Sequence, residues 1–294
     1  MQNRIEILPV ALLDEHRPLV SSLKKLAHSL GLDFGWHYLL DLTWIINRLG
    51  VVKDKKVIDA GAGTGVLQWY LADRGARVIS IDRMSRARLS LRFRQRFRVS
   101  GLRSSDLVPT YKMVQGAIRD YREFPSHWRA QVRDLIGLAE PRRADGQVII
   151  YNQDLKNLEH IQDESIDAVV AVSALEHNPS EDLEILVAEL MRVLKPGGAL
   201  LATLGAARDE DWFHKPSHGW CYGEASLRRL FGISDDVPSN YDRYDQLLTE
   251  LVNCAELRRN LAKFYFLSGD NGMPWGKWDP QYQSVGVCKV KRQP

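Results

Sequence analysis

The stretch Val57-Ile58-Asp59-Ala60-Gly61-Ala62-Gly63-Thr64-Gly65 constrains what this chain can fold into more than any other. It starts as a short apolar strand, Val57-Ile58, entered from the charged run Lys53 to Lys56. Glycine then occupies every second position, and Val66 to Ala72 continues with helical spacing. A strand, a glycine turn and a helix in that order form the first half of a βαβ unit. The glycines let the backbone turn tightly and let a ligand lie against it. The helix start beyond them offers free N–H groups to an electron-rich ligand group.

Spacing decides between ligands. A dinucleotide fingerprint reads G-x-G-x-x-G. Here the third glycine comes one residue earlier, as Gly61-x-Gly63-x-Gly65, and Asp59 stands two residues before the first. This pattern resembles the first motif of the class I S-adenosylmethionine-dependent methyltransferases; the plainer alternative is a tight turn with no ligand. A companion strand, Arg77 to Asp82, ends in an acid seventeen residues after Gly65. An acid at a strand tip can accept both hydrogen bonds of a ribose diol. Asp is also favoured as a helix cap, but the position at a strand end favours the ribose role.

Three further segments follow in the family's order. Gln147 to Tyr151 reads as the third strand, followed by Asn152-Gln153-Asp154-Leu155. In the family an acid or amide here bonds the adenine amino group and the next apolar residue packs on the ring, which Asp154 and Leu155 match. Ser165 to His177 resembles the family's fourth strand and its exit, ending Leu175-Glu176-His177. Arg192-Val193-Leu194-Lys195-Pro196-Gly197-Gly198 then turns into a fifth strand, Ala199 to Leu204. The resemblance covers roughly residues 51 to 205 and points to the methyltransferase type 11-like, small-molecule branch. It implies S-adenosyl-L-methionine as cofactor, held by Asp59, Gly61, Ala62, Gly63, Gly65, Asp82, Arg83, Asp154, Leu155, Ser173 and Tyr38.

The implied fold class is α/β: a Rossmann-like, mostly parallel seven-stranded sheet with an antiparallel last strand, Ser284 to Val290. The expected division is an N-terminal helical lid, 1–54, and a methyltransferase domain, 55–294. Within the domain, a helical insertion is expected at about 100–146 and an acceptor-side region at about 205–282. Asp82 and Asp154, at the ends of consecutive expected strands, lie 72 residues apart, far beyond the usual connection. Helical stretches are expected there at Tyr111–Tyr121 and Trp128–Leu138. A substrate-binding cap and an oligomerisation cap, the latter implying a homodimer, fit the insertion equally.

Composition sets outer bounds. A net charge of +3 is too small to imply nucleic acid by itself. Cys221, Cys254 and Cys288 lie far apart with no C-x-x-C spacing, which argues against a zinc site or a disulfide framework and suits a reducing cytoplasm. No metal is expected. No apolar run approaches the ~20 residues a transmembrane helix needs.

Residues 1 to 50 read as helical, with Leu19, Leu23, Leu26 and Leu30 closed by Gly31 and a second helix closed by Gly50. Between them Gly35-Trp36-His37-Tyr38 clusters polar-tipped aromatics at a helix start, read as the active-site mouth. The run Arg83 to Arg98 carries seven arginines, with Leu89, Phe93 and Phe97 on one helical face. It reads either as a helix with a solvated basic face or as a docking surface for an anionic partner.

The acceptor side is expected after the fifth strand. Asp209 to Tyr222 is dense in aromatic and titratable groups, and such loops carry function. His214 and His218 are the candidate bases, with Asp211 as orienting partner; His177, at the end of a central strand, is the third. A strand at Lys263 to Leu267 and a loop with Trp275 and Trp278 are expected in the tail. The activity implied is methyl transfer to a small molecule, a hydroxyl of a sugar or secondary metabolite linked to a nucleotide, lipid or other anionic carrier. Two alternatives are an RNA methyltransferase using the Arg83–Arg98 face and a silent cofactor-binding protein of the same fold.

Overall fold

The computed structural model describes residues 1–123, 144–261 and 277–293 and, of residues 117–123, the backbone alone. In chain order its strands are β1 (Arg4–Ile7), β2 (Lys56–Ala60), β3 (Arg77–Asp82), β4 (Arg98–Gly101) and β5 (Gln147–Asn152). There follow β6 (Ile166–Val172), β7 (Leu194–Ala206), β8 (Trp212–His214), β9 (Gly219–Tyr222) and β10 (Gln283–Val290). They divide between two compact units, Val51–Asp154 and Met1–Gly50 with Leu155–Pro294. The chain is an α/β protein of Rossmann-like class, mostly parallel, with the antiparallel last strand expected from sequence.

In the Val51–Asp154 unit the order is β2-β3-β5-β4, every pair parallel. The strands are continuous apolar runs because both faces are covered, and Val57, Ile58, Val78, Ile81, Val148 and Ile150 are all fully buried. Helix Leu67–Asp73 joins β2 to β3. Its Trp69 stacks on Phe93 with centroids 4.7 Å apart and meets Phe97 at 4.9 Å. The apolar face read from Phe93 and Phe97 therefore exists, but the long helix does not. Only Leu91–Arg96 is helical, and Arg98–Gly101 forms an extra strand on the edge of β5. The physical reason is Arg94, whose guanidinium bonds the carbonyls of Ala87, Leu89 and Val108 and so holds the preceding residues as a loop. Helix Thr110–Glu123 stands where a helical insertion was expected; the second expected stretch, 128–138, lies outside the described residues.

In the other unit β7 pairs β6 in parallel on one side and β10 in antiparallel on the other, and β10 carries β1. A short β8–β9 hairpin extends the end of β7. Residues 4–7 are a strand where the whole N-terminal segment had read as helical: Ile5 and Ile7, alternating with Arg4 and Glu6, are fully buried against β10. The helices Arg17–Leu30 and Tyr38–Leu49 form as expected and end at Gly31 and Gly50, both at positive φ. Gly286 of β10 is required by packing, since a Cβ there would lie 2.6 Å from the Trp44 ring. The helix therefore seats Trp44 directly on the strand. His37, one heptad before Trp44, comes to Ser284, two residues before Gly286 on the same strand face. The expected strand at 263–267 lies outside the described residues, and no described helix is long and apolar enough to cross a membrane.

Candidate active site

The glycine turn is built around two acids of the Val51–Asp154 unit. Gly61 and Gly63 have φ of 70° and 47°, the left-handed region in which glycine carries no penalty. Gly65 closes the turn by donating to the Ala62 carbonyl at 3.0 Å, and Ala62 donates to Ile81 at 3.0 Å. Asp82, half-buried at the tip of β3, accepts the Gly63 N–H on Oδ2 and the Met84 N–H on Oδ1, each at 2.8 Å. The expected cofactor loop and the expected ribose acid are thus one hydrogen-bonded unit. Arg83, beside Asp82, is exposed.

Asp59, next to last in β2, is only 3% exposed. Its Oδ2 is buried with no hydrogen-bond partner among the described residues. Burial pushes this carboxyl up to about 7, opposed by the Arg86 guanidinium and reinforced by the negative charge of Asp82. Arg86 is itself buried, bonding the Ser80 hydroxyl, the Ser80 carbonyl at 2.7 Å and the Gly63 carbonyl at 3.3 Å. Gln68 completes the net, accepting from Ser80 Oγ at 2.7 Å and donating to Gly65 at 3.1 Å. Sequence reading had grouped Arg86 with a surface run. Its fixed span to the turn is visible only in three dimensions.

The arginine run divides by role. Arg86 and Arg94 are buried and bonded within the unit, and Arg92 and Arg96 are half-buried over the rings of Phe93 and Phe97. Only Arg83, Arg88 and Arg98 of the seven are exposed, so a continuous basic docking helix is not formed. Asp154 lies exposed after β5 and Leu155 half-buried.

The remaining candidates belong to the unit of Met1–Gly50 and Leu155–Pro294. Ser173, just past β6, is held at φ 45°, strained for a non-glycine residue. Its N–H donates to the Thr203 carbonyl at 3.0 Å and its hydroxyl donates to Glu176 Oε1. Glu176 is 5% exposed, its Oε2 has no partner among the described residues, and burial raises its carboxyl above the usual range. Next to it His177 is exposed and donates from Nδ1 to the carbonyl of His218 at 3.0 Å. His218 is exposed at φ 51°. These two candidate bases are therefore brought together, ring to backbone.

His214, the third, is buried in β8 with Nδ1 2.8 Å from Ser217 Oγ, and burial lowers its imidazole so that the neutral ring is favoured. Asp211 accepts the Gly223 N–H at 2.8 Å rather than a histidine proton. His214 meets the ring of Tyr282 at 5.2 Å, and the other ring neighbours of Tyr282 include Trp36 at 5.2 Å and His37 at 5.8 Å. The aromatic cluster read at Trp36–Tyr38 is thus continuous with the acceptor-side loop. Tyr38 is half-buried, edge-on to His37 at 5.2 Å. Asp41, Glu176, Tyr282 and Ser284 were missed. Only Asp41 carried a local signal, four residues after His37 on one helix face.

A family model described as a methyltransferase domain matches residues 132–202. No curated protein matches the chain in sequence. Among solved structures, phosphoethanolamine N-methyltransferase 2 of Haemonchus contortus, with phosphomonomethylethanolamine and S-adenosylhomocysteine, is similar at TM-score 0.50 and 16% identity. That match covers 96% of this chain and 60% of the other. The 4+2 cyclase SpnF is similar over 100% of both chains at TM-score 0.49 and 17% identity. Magnesium protoporphyrin IX methyltransferase of Synechocystis PCC 6803, with S-adenosylmethionine bound, is similar at TM-score 0.39 and 17% identity, over 92% of this chain and 83% of that one. The matched segment, 132–202, is similar to a methyltransferase domain, and the fold of the chain is similar to that of the Haemonchus methyltransferase.

Proposed function

We propose that the protein transfers a methyl group from S-adenosylmethionine to a hydroxyl of a small molecule, a sugar or secondary metabolite. The observation that carries the reading is the joint construction of the glycine turn and two acids. Asp82 is locked to Gly63, and beside that turn Asp59 keeps one buried oxygen unpartnered. An orphan carboxylate oxygen suits an ammonium donor such as the amino-acid end of the cofactor, and a strand-tip acid suits a ribose diol. Gly61, Ala62, Gly63 and Gly65 would line the backbone approach, with Arg83, Asp154, Leu155, Ser173 and Tyr38 as further contacts. The Haemonchus enzyme, which has S-adenosylhomocysteine bound, supports the choice of cofactor.

When bound, the cofactor supplies a sulfonium methyl that is already electrophilic. The chain's own task is to align the acceptor, exclude water and receive the hydroxyl proton. His214, His218 and His177 are the proposed acceptor-side groups. His214 is suited to proton traffic by its buried, neutral ring, while His177 and His218 form a linked pair at the β6 exit.

The test is transfer of labelled methyl to nucleotide-linked hexoses, glycosides and phenols. His214→Ala and His218→Ala keep wild-type affinity for S-adenosylhomocysteine, and at least one loses turnover by roughly 10²-fold or more. Unchanged turnover in both contradicts the role given to this loop.

A further inference from the structure

The buried histidine of the N-terminal segment has the construction that the acceptor-side histidines lack. His37 is 2% exposed and Asp41, four residues on, is fully buried. His37 Nδ1 lies 2.6 Å from Asp41 Oδ2 and 2.9 Å from Ser284 Oγ. A carboxylate only accepts, so Nδ1 must carry the proton it shares with Asp41. That fixes the tautomer and leaves the lone pair on Nε2. No partner stands at Nε2 among the described residues. His177 donates from Nδ1 as well, but to a backbone carbonyl, and His214 has a serine hydroxyl at Nδ1, so neither has a carboxylate to hold an imidazolium.

Packing makes the arrangement rigid. Trp44 seated on Gly286 fixes the helix on β10, and the ring of His37 is walled edge-on by Trp36 at 4.6 Å, Tyr38 and Tyr282. The titratable groups facing this imidazole are Asp41 and Tyr38 on its own helix, Tyr282 before β10, and Glu176 after β6. His214 of β8 meets the same Tyr282 ring at 5.2 Å. Ser284 faces it from β10 without charge.

We propose that His37 is the group that takes the acceptor's hydroxyl proton, with Asp41 as its positioning residue. The inference rests on the hydroxyl-methylation reading above. In the step the O–H bond breaks and its proton passes to His37 Nε2. The oxygen's electron pair takes the methyl, and the carbon–sulfur pair stays on sulfur, which leaves as a neutral thioether. The imidazolium that results is held by the Asp41 carboxylate, the use a carboxylate–histidine couple has in acid–base catalysis.

Two measurements test it. The first is methyl transfer by wild type, His37→Gln and Asp41→Asn across pH 6 to 9, with S-adenosylhomocysteine binding followed by calorimetry. Affinity stays within about twofold in all three, kcat falls about a hundredfold in His37→Gln, and in Asp41→Asn kcat falls about tenfold with a displaced pH profile. The second, which needs no acceptor, is nitrogen NMR of the His37 ring in the wild-type protein. It shows a protonated Nδ1 and a bare Nε2 at neutral pH, and in Asp41→Asn the downfield Nδ1 proton signal is lost. A wild type that transfers to none of the hydroxyl acceptors contradicts the hydroxyl reading itself. A wild type that transfers while His37→Gln keeps its rate overturns the base assignment alone, as does a ring protonated on Nε2.

Discussion

The backbone N–H of Gly63 donates to Asp82 Oδ2 at 2.8 Å, tying the glycine turn after β2 to the tip of β3. The same carboxylate takes the Met84 N–H on its other oxygen. One acid thus sets the shape of the turn and the start of the loop that follows, while retaining lone pairs for a diol.

Asp82→Ala removes two charge-assisted hydrogen bonds from a half-buried position. Affinity for S-adenosylhomocysteine is expected to fall roughly ten- to a hundredfold, at ~1.5–3 kcal/mol for a charged hydrogen bond. Asp82→Asn, which keeps one carbonyl oxygen, is expected to lose less. Circular dichroism checks that the fold persists. Equal affinity in the alanine variant removes the ribose assignment.

Asp59 makes binding and stability depend on pH in opposite senses. Its carboxyl sits at about 7 in the folded protein against 3.8 in the unfolded chain. The folded state therefore holds the proton longer, and stability falls as pH rises from about 4 to about 7. A cofactor ammonium needs the ionised form, so affinity rises about tenfold between about pH 6 and 8. Asp59→Asn is expected to flatten both slopes, measured by thermal unfolding and calorimetry across that range.

Gly286→Ala drives a methyl into the Trp44 ring, 2.6 Å from where the Cβ would stand. Both partners belong to packed elements, so the cost is expected at about 1–3 kcal/mol. The melting temperature drops by several degrees, and the His37–Ser284 contact loosens with it. An unchanged melting temperature means the helix can lift from β10 freely.

The two kinds of arginine separate in the same assay. Arg94→Ala leaves the carbonyls of Ala87, Leu89 and Val108 without their shared donor and is expected to destabilise by roughly 2–4 kcal/mol. Arg88→Ala, exposed, is expected to stay within ~0.5 kcal/mol. Equal effects contradict the division of the run into buried ties and solvated charges.

The parts legible in the sequence were those with a local signature. The glycine spacing at 61–65, the acid at Asp82 and the apolar run of β6 each follow from residues within one element. β1 escaped because two isoleucines in a four-residue strand make too short an alternation beside strong helical periodicity. Arg83–Arg98 misled for a different reason: its helical apolar period is real, but Arg94 satisfies loop carbonyls and so supports a break that no propensity would show. The couple of His37 and Ser284 spans 247 residues and lies on the same helix and strand as the seating of Trp44 on Gly286. No window of sequence contains it.

The measurement closest to the central claim is calorimetric titration of the wild-type protein with S-adenosylhomocysteine at low and high salt. One site per chain with micromolar affinity is expected, little changed by salt because the charge that meets the cofactor ammonium, Asp59, is buried, and roughly ten- to a hundredfold weaker in Asp82→Ala. No binding at either salt concentration would make the glycine turn a purely structural feature, and the methyltransferase reading would fall with it.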